Sequence, residues 1–283
     1  MSPRAREPAE WPAERPDDTP VAPAAPLENV RIVSLVPSLT ELVCELGLAD
    51  RLVGRTGFCI HPRRQVADIP KVGGTKRVDI DKVRALAPTH LIVNIDENEK
   101  PTVDALREFV PNIVVTHPIE VADNFTLYEQ FGSLFGRESR ATQLAQQLRV
   151  VLSEAESRQF KRRPVIYLIW KDPWMTISPP TYVARMLNAV GLDALAPPSD
   201  LRYPPLDWNR FDVGAADAVL LSSEPYRFTQ RHIDELRLDP RMQGRCLRLI
   251  DGEMVSWYGA RAIAGLRYLL DFRRDLDHEC PPA

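Results

Sequence analysis

The chain has 283 residues, 44% of them apolar and 27% charged, enough to bury one large core or two medium ones. Its formal charge of −3 resides in the first 29 residues, which hold three arginines against six acids, so the remaining body is formally neutral. That excludes the bulk positive charge of a phosphate-backbone binder, and no run of 18 apolar residues is present to cross a membrane as a helix.

Seven of the first 29 residues are proline and few are bulky and apolar, which predicts a disordered tail over 1–29. No apolar segment follows its arginines as an export signal requires, so the expected compartment is the cytoplasm, with the periplasm the alternative if the start site is misplaced. Cys44, Cys59, Cys246 and Cys280 are widely spaced, with no C-x-x-C pair. They are read as ordinary thiols, neither a zinc ribbon nor a disulfide framework.

Order is expected to begin with a β-prone run at 31–35, followed by Pro37 and a helix to Leu46. Ser38 and Glu41 have the spacing of a capping box, and Gly47 supplies the stop. A short strand at 52–54, an acid-capped helix at 79–86, a strand at 90–94, a proline-opened helix at 101–109 and a strand at 112–116 complete a βαβ alternation, the sign of a mostly parallel sheet covered by helices. From 121 to 160 the pattern is helical, broken near Gly132 and Gly136. Its second part would span roughly 33 Å and is read as a rigid connector.

After Pro164 the alternation restarts. A strand is predicted at 165–170 with Trp170 in its core, then a helix at 182–190, a proline-rich irregular stretch at 193–208, a short helix at 209–215, a strand at 218–221, a helix at 229–236, a strand at 246–250 and a closing helix at 260–276. The segment V-D-I-D-K-V at 78–83, followed by A-P-T-H-L-I-V at 87–93, is echoed by R-F-D-V at 210–213 and A-A-D-A-V-L-L at 215–221. One repetition implies two similar lobes rather than a solenoid. The expected fold is α/β: two similar lobes with mostly parallel sheets, 30–138 and 163–276, bridged by one long helix at 139–162, with a ligand cleft between the lobes and a tail at 277–283.

The motifs of dinucleotide, P-loop, zincin and common hydrolase chemistry are absent. Gly73-Gly74-Thr75-Lys76-Arg77 resembles a phosphate loop superficially, but the helix beyond it starts with acids that oppose an anion. Cys59 and His61 lie two apart in a loop, and with His117 they form the runner-up reading: a cytoplasmic α/β enzyme or metal-binding protein using a thiolate and an imidazole. Cys59 and His61 alone are two ligands, too few for an intrinsic metal site, and the other histidines have no tight spacing with them. Trp174, Trp208 and Trp257 fall in predicted loops beside Tyr203, Tyr226 and Tyr258, where flat apolar faces suit a large planar or macrocyclic ligand. Asp81 and Asp212 occupy matching places in the two half-repeats, where they complement a helix dipole or meet a basic two-fold partner.

The stretches R-I-V-S-L-V-P-S-L-T-E-L-V-C-E-L at 31–46, 79–93 and D-G-E-M-V-S-W-Y-G-A-R-A-I-A-G-L at 251–266 resemble the signature segments of the helical-backbone, class III substrate-binding proteins, nearest to the vitamin-B12-binding proteins of ABC importers. The resemblance covers about residues 30–275. It implies a non-enzymatic, monomeric receptor for a corrinoid, haem or ferric siderophore, with no intrinsic cofactor, no nucleic-acid partner and no membrane insertion. It places Pro37, Ser38 and Phe58 on the first lobe's rim and Trp174, Tyr203, Trp257, Tyr258 and Arg261 on the second's. It also assigns Asp81 and Asp212 to docking on an ABC permease dimer. Where B12-binding members carry tryptophans on the first lobe, this chain has Gly74, Thr75 and Asn94.

Overall fold

The computed structural model describes residues 27–281. The tail expected at 1–29 lies almost wholly outside the described residues. Two compact units emerge, one of residues 27–117 with Phe125–Leu144, the other of Pro118–Asn124 with residues 145–281.

The first unit is built on four parallel strands in the order β2-β1-β3-β4: β1 Ile32–Ser34, β2 Leu52–Arg55, β3 His90–Asn94 and β4 Asn112–Thr116. Ile32 aligns with His90, and His90 with Asn112. The central strand β3 is buried at every residue, as a parallel sheet covered on both faces requires. Its helices are α1 Pro37–Glu45, α2 Arg63–Val66, α3 Ile80–Ala85 and α4 Lys100–Arg107, together with most of α5 Asp123–Leu134 and the start of α6 Glu138–Ser157. Val33, Leu35, Val83, Leu91, Val93, Val103 and Leu106 form one core between sheet and helices.

The second unit repeats the plan with the order β6-β5-β7-β8: β5 Arg163–Leu168, β6 Leu192–Ala194, β7 Ala218–Ser222 and β8 Cys246–Ile250. Its helices are the rest of α6, α7 Tyr182–Ala189, α8 Gln230–Arg237, α9 Gly252–Ser256 and α10 Arg261–Glu279. Ile166, Leu168, Val219, Leu221, Ile233 and Leu247 fill the core, with Trp208 and Phe228 added from loops.

Several local expectations change. Helix α1 has no capping box: Pro37 opens it, Val36 is the N-cap, and Ser38 lies inside the helix with a buried hydroxyl that has no hydrogen-bond partner. Gly47, at φ 73°, ends that helix as expected. Residues 209–215 yield only a 3-10 turn at Val213–Ala215. Trp170 falls beyond β5 and is 40% exposed, so it is no strand-core residue. The C-terminal segment is no tail from 277 onward, because α10 continues to Glu279 and Cys280 is bonded to Cys246 in β8, with Cα atoms 5.9 Å apart. That bridge corrects the reading of these two cysteines as thiols, since their pairing brings together segments 34 residues apart in sequence.

Candidate functional site

In both sheets the chain leaves the second strand of the order, travels outward, and returns to the other side of it, so the topological switch lies beside β1 in one unit and β5 in the other. Crevices outside the carboxyl ends of strands at such points are where open α/β sheets hold ligands. The loops leaving those ends carry most of the expected site residues.

In the first unit, Pro37 and Ser38 begin α1 just past β1 and are buried. Phe58, in the loop after β2, is 62% exposed. The adjacent turn at 73–78 is fixed by the Gly73–Val78 bridge, by the Gly57 amide donating to the Gly73 carbonyl at 2.7 Å, and by Asn98 Nδ2 donating to the Thr75 carbonyl at 2.9 Å. Asn94, at the end of β3, is buried, and Asp96 beyond it stands 3.4 Å from His117 Nε2.

Cys59 is fully buried, its sulfur 3.1 Å from Thr56 Oγ1 and 3.8 Å from the Ser34 carbonyl. Burial pushes its thiol up, against the hydrogen bonds from Thr40 and Thr56. A nucleophilic thiolate needs the opposite shift and an open approach. No group of three metal-ligating side chains occurs among the described residues, so Cys59, His61 and His117 assemble no metal site there. The runner-up reading loses its chemistry.

In the second unit, the loop after β5 turns sharply. The Met175 amide donates to the Trp170 carbonyl at 3.1 Å, and Asp172 adopts φ 63°. Lys171 is anchored on Glu235 at 2.6 Å, a hydrogen bond that, with Arg231, holds the Glu235 carboxyl down to about 2. Trp170 meets Tyr226 edge-on at 5.5 Å. Trp174 is half-buried, stacked on Phe228 at 5.9 Å and edge-on to Trp208 at 5.7 Å, so much of its surface serves packing. Residues 202–206 run alongside this loop, with the Ser178 amide donating to the Arg202 carbonyl at 2.8 Å, and they leave Tyr203 37% exposed.

The expectation that Trp257 and Tyr258 offer open ring faces is corrected. Trp257 is only 7% exposed, its Nε1 donates to Glu224 Oε1 at 2.8 Å, and the Arg261 guanidinium lies over its ring at 4.8 Å. Tyr258 is buried edge-on against Tyr182 at 5.7 Å. Arg261 also reaches Glu253 at 3.2 Å. Sequence reasoning missed Glu224, because only the fold brings the end of β7 to α9; Asp251 and Gly252, the cap and first residue of α9, open the signature-like stretch at 251–266.

Asp81 and Asp212 are both exposed but are not equivalent. Asp212 caps its turn by accepting the Gly214 amide at 2.8 Å, whereas the matching cap of α3 is Asp79, which accepts the Lys82 amide at 3.0 Å. Asp81 sits two residues inside that helix.

The family of periplasmic binding proteins matches residues 32–244. The chain belongs to that family. Among curated relatives, the uncharacterized ABC transporter substrate-binding lipoprotein YvrC of Bacillus subtilis is 28% identical over 173 residues, 58% of this chain and 54% of that one, so the match spans about half of that relative. The vitamin B12-binding protein of Vibrio cholerae is 22% identical over 219 residues, covering 76% of this chain and 75% of its own. Of solved structures, the periplasmic vitamin B12-binding protein BtuF of Vibrio cholerae superposes with a TM-score of 0.72 at 16% identity, covering 87% and 96% of the two chains. The haem-binding protein BhuT in complex with two haems does so with 0.73 at 17%, covering 86% and 98%. The fold is therefore the two-lobe α/β architecture of these proteins, which are binding proteins rather than enzymes.

The cytoplasmic expectation is overturned. The family and its relatives are periplasmic proteins or lipoproteins, and the Cys246–Cys280 bridge is the chemistry of an oxidising compartment.

Proposed function

We propose that the chain is the substrate-binding component of an ABC importer and that it takes a bulky metal chelate, a corrinoid or a haem. The observation that carries this reading is the set of exposed aromatic faces at the strands' carboxyl ends: Phe58 in one unit, Trp170 and Tyr203 in the other, at 62%, 40% and 37% exposure. Such faces suit a flat, largely apolar ligand. Trp170 takes the stacking role that Trp257 cannot, Trp174 adds its half-buried ring from the same loop, and Pro37 and Ser38 border the first rim. The metal arrives inside the ligand, and the protein acts as a monomer. Of the two named ligands the relatives support the corrinoid at the level of sequence and both at the level of fold.

Titration with cobalamin, cobinamide, haem and a ferric siderophore, followed by tryptophan fluorescence and checked by calorimetry, tests this. Saturable one-to-one binding of a chelate is expected, weakened about tenfold by Trp170→Ala, the loss of one stacking contact of about 1.4 kcal/mol. Absence of binding to all four overturns it. Docking on a permease is assigned to Asp81 and Asp212, whose exposed carboxylates suit basic partner residues. Charge reversal at both is expected to abolish import by cells, and undiminished import overturns the assignment.

A further inference from the structure

Glu224 stands at the carboxyl end of β7 and is the hub of the second rim. Its Oε1 accepts from Ser256 Oγ at 2.6 Å and from Trp257 Nε1 at 2.8 Å. Its backbone is held as firmly: Ser222 Oγ donates to the Glu224 carbonyl at 2.7 Å and in turn accepts from Tyr167 Oη at 3.0 Å. Gly252 lets α9 approach this close, since a Cβ there would meet Glu224 Cγ at 2.6 Å and its amide nitrogen at 2.8 Å. The indole so fixed is the surface over which the Arg261 guanidinium lies at 4.8 Å, and Glu253 pairs with that guanidinium at 3.2 Å. Arg261 has only a tenth of its side chain exposed, so its position is set by these neighbours.

We propose that Glu224 is a positioning residue for ligand binding: its carboxylate clamps the Trp257 indole and the α9 terminus, and through them fixes the place of Arg261. This rests on the chelate-binding reading above. The clamp is also the part of the rim that senses protons. The titratable groups acting on Glu224 are Asp251 at the cap of α9, Glu253 within it and Tyr167 in β5, while Arg261 lies one step away over the Trp257 ring and Tyr268 one step away on the Asp251 amide. Burial, followed by the charges of Glu253 and Asp251, raises the Glu224 carboxyl above the ordinary glutamate range, against the hydrogen bonds from Ser256 and Trp257 that favour the anion. Protonation therefore falls nearer neutrality than for a free glutamate. It replaces the charged acceptor of the indole N–H with a weaker neutral one.

Two measurements separate this inference from the ligand assignment. Without ligand, the emission of the full chain is titrated between pH 4 and 8 (about the range over which a raised carboxyl titrates) for the wild type, Glu224→Gln and Trp257→Phe. A transition present in the wild type and missing from both variants is expected. A transition that persists in Glu224→Gln overturns the clamp, whatever the protein binds. With haem or cobalamin as probe, Glu224→Ala is expected to weaken binding about tenfold or more, the scale of one lost charge-assisted hydrogen bond. Glu224→Gln, which keeps an acceptor oxygen, is expected to recover most of that loss while flattening the pH profile of affinity. Equal affinity and an equal profile in wild type, Ala and Gln variants overturn the positioning role. Failure of every chelate to bind removes the ligand reading and leaves the emission titration to decide the clamp.

Discussion

At Cys59 the thiol is enclosed by Thr56 and the Ser34 carbonyl, and at Cys44 burial, with the charges of Glu41 and Glu45, pushes the thiol up to about 12. Neither sulfur is then a thiolate at neutral pH, so both are expected to resist maleimide in the native state and to react only on unfolding. Rapid stoichiometric labelling of the folded protein contradicts this. Gly252 is a second point where one atom decides. Gly252→Ala forces its Cβ against Ser222 Oγ at 2.5 Å and the Glu224 backbone, and is expected to lower unfolding stability by about 1–3 kcal/mol, measured by urea denaturation. Glu224 itself adds a pH dependence of known sign. Its folded carboxyl binds a proton more tightly than the unfolded one, so its contribution is present in acid and is lost as pH rises through its raised folded value. Glu224→Gln is expected to gain stability relative to wild type as the pH climbs from about 4 toward neutrality.

Among the elements, the end of α10 is held by an arrangement that the sequence disguised. Arg163 and Arg273, both essentially buried, converge on Asp277 at 2.7 and 2.9 Å, and Arg163 also donates to the Cys280 carbonyl at 2.8 Å. Asp277→Ala removes the carboxylate that buried Arg273 pairs with and leaves Arg163 with Asp217 at 3.3 Å, and is expected to cost about 3 kcal/mol. The neighbouring Cys246–Cys280 bridge closes a loop across a separation of 34 residues, worth about 3 to 4 kcal/mol on chain-entropy grounds. Reduction, or replacement of both cysteines by serine, is expected to shift the urea midpoint down accordingly.

The strands were the most legible elements because each is a short apolar run bounded by turn residues: 90–94, 112–116 and 246–250 match β3, β4 and β8 end to end. β6 escaped because its three residues carry an aspartate and sit at the edge of a proline-rich stretch. The capping box at Ser38 failed because Pro37 already fixes the helix start, a case of two start signals competing at adjacent residues. Site residues were legible by kind but not by role. Trp257 and Tyr258 were singled out as aromatics near a turn, yet what decides their use is how α9 and α10 pack, and that is written in no local pattern.

Across the whole molecule, ligand binding and stability are linked. A chelate present at a hundredfold excess over its dissociation constant adds about 2.7 kcal/mol to the folded state, so the melting temperature is expected to rise with ligand concentration. The compartment is written in the thiol count. Protein taken from its native location and unfolded without reductant is expected to expose two thiols, Cys44 and Cys59, and four after reduction. Four free thiols before reduction contradict the oxidised bridge. This was the point hardest to see in the sequence, because a distant cysteine pair leaves no spacing signature until β8 and the end of α10 are brought together.

The two units are also interleaved along the chain, with changes of membership after residues 117, 124 and 144. On a ribosome that threading imposes a schedule. The first unit lacks α5 and the start of α6 until residue 144 has emerged, while residues 118–124 appear before any other part of the unit they join. That short segment must wait unassembled during synthesis. Truncating the chain at 117 therefore removes the helices that finish the first unit, and a nascent chain arrested there is expected to be digested by protease where one arrested well past 144 shows a protected core.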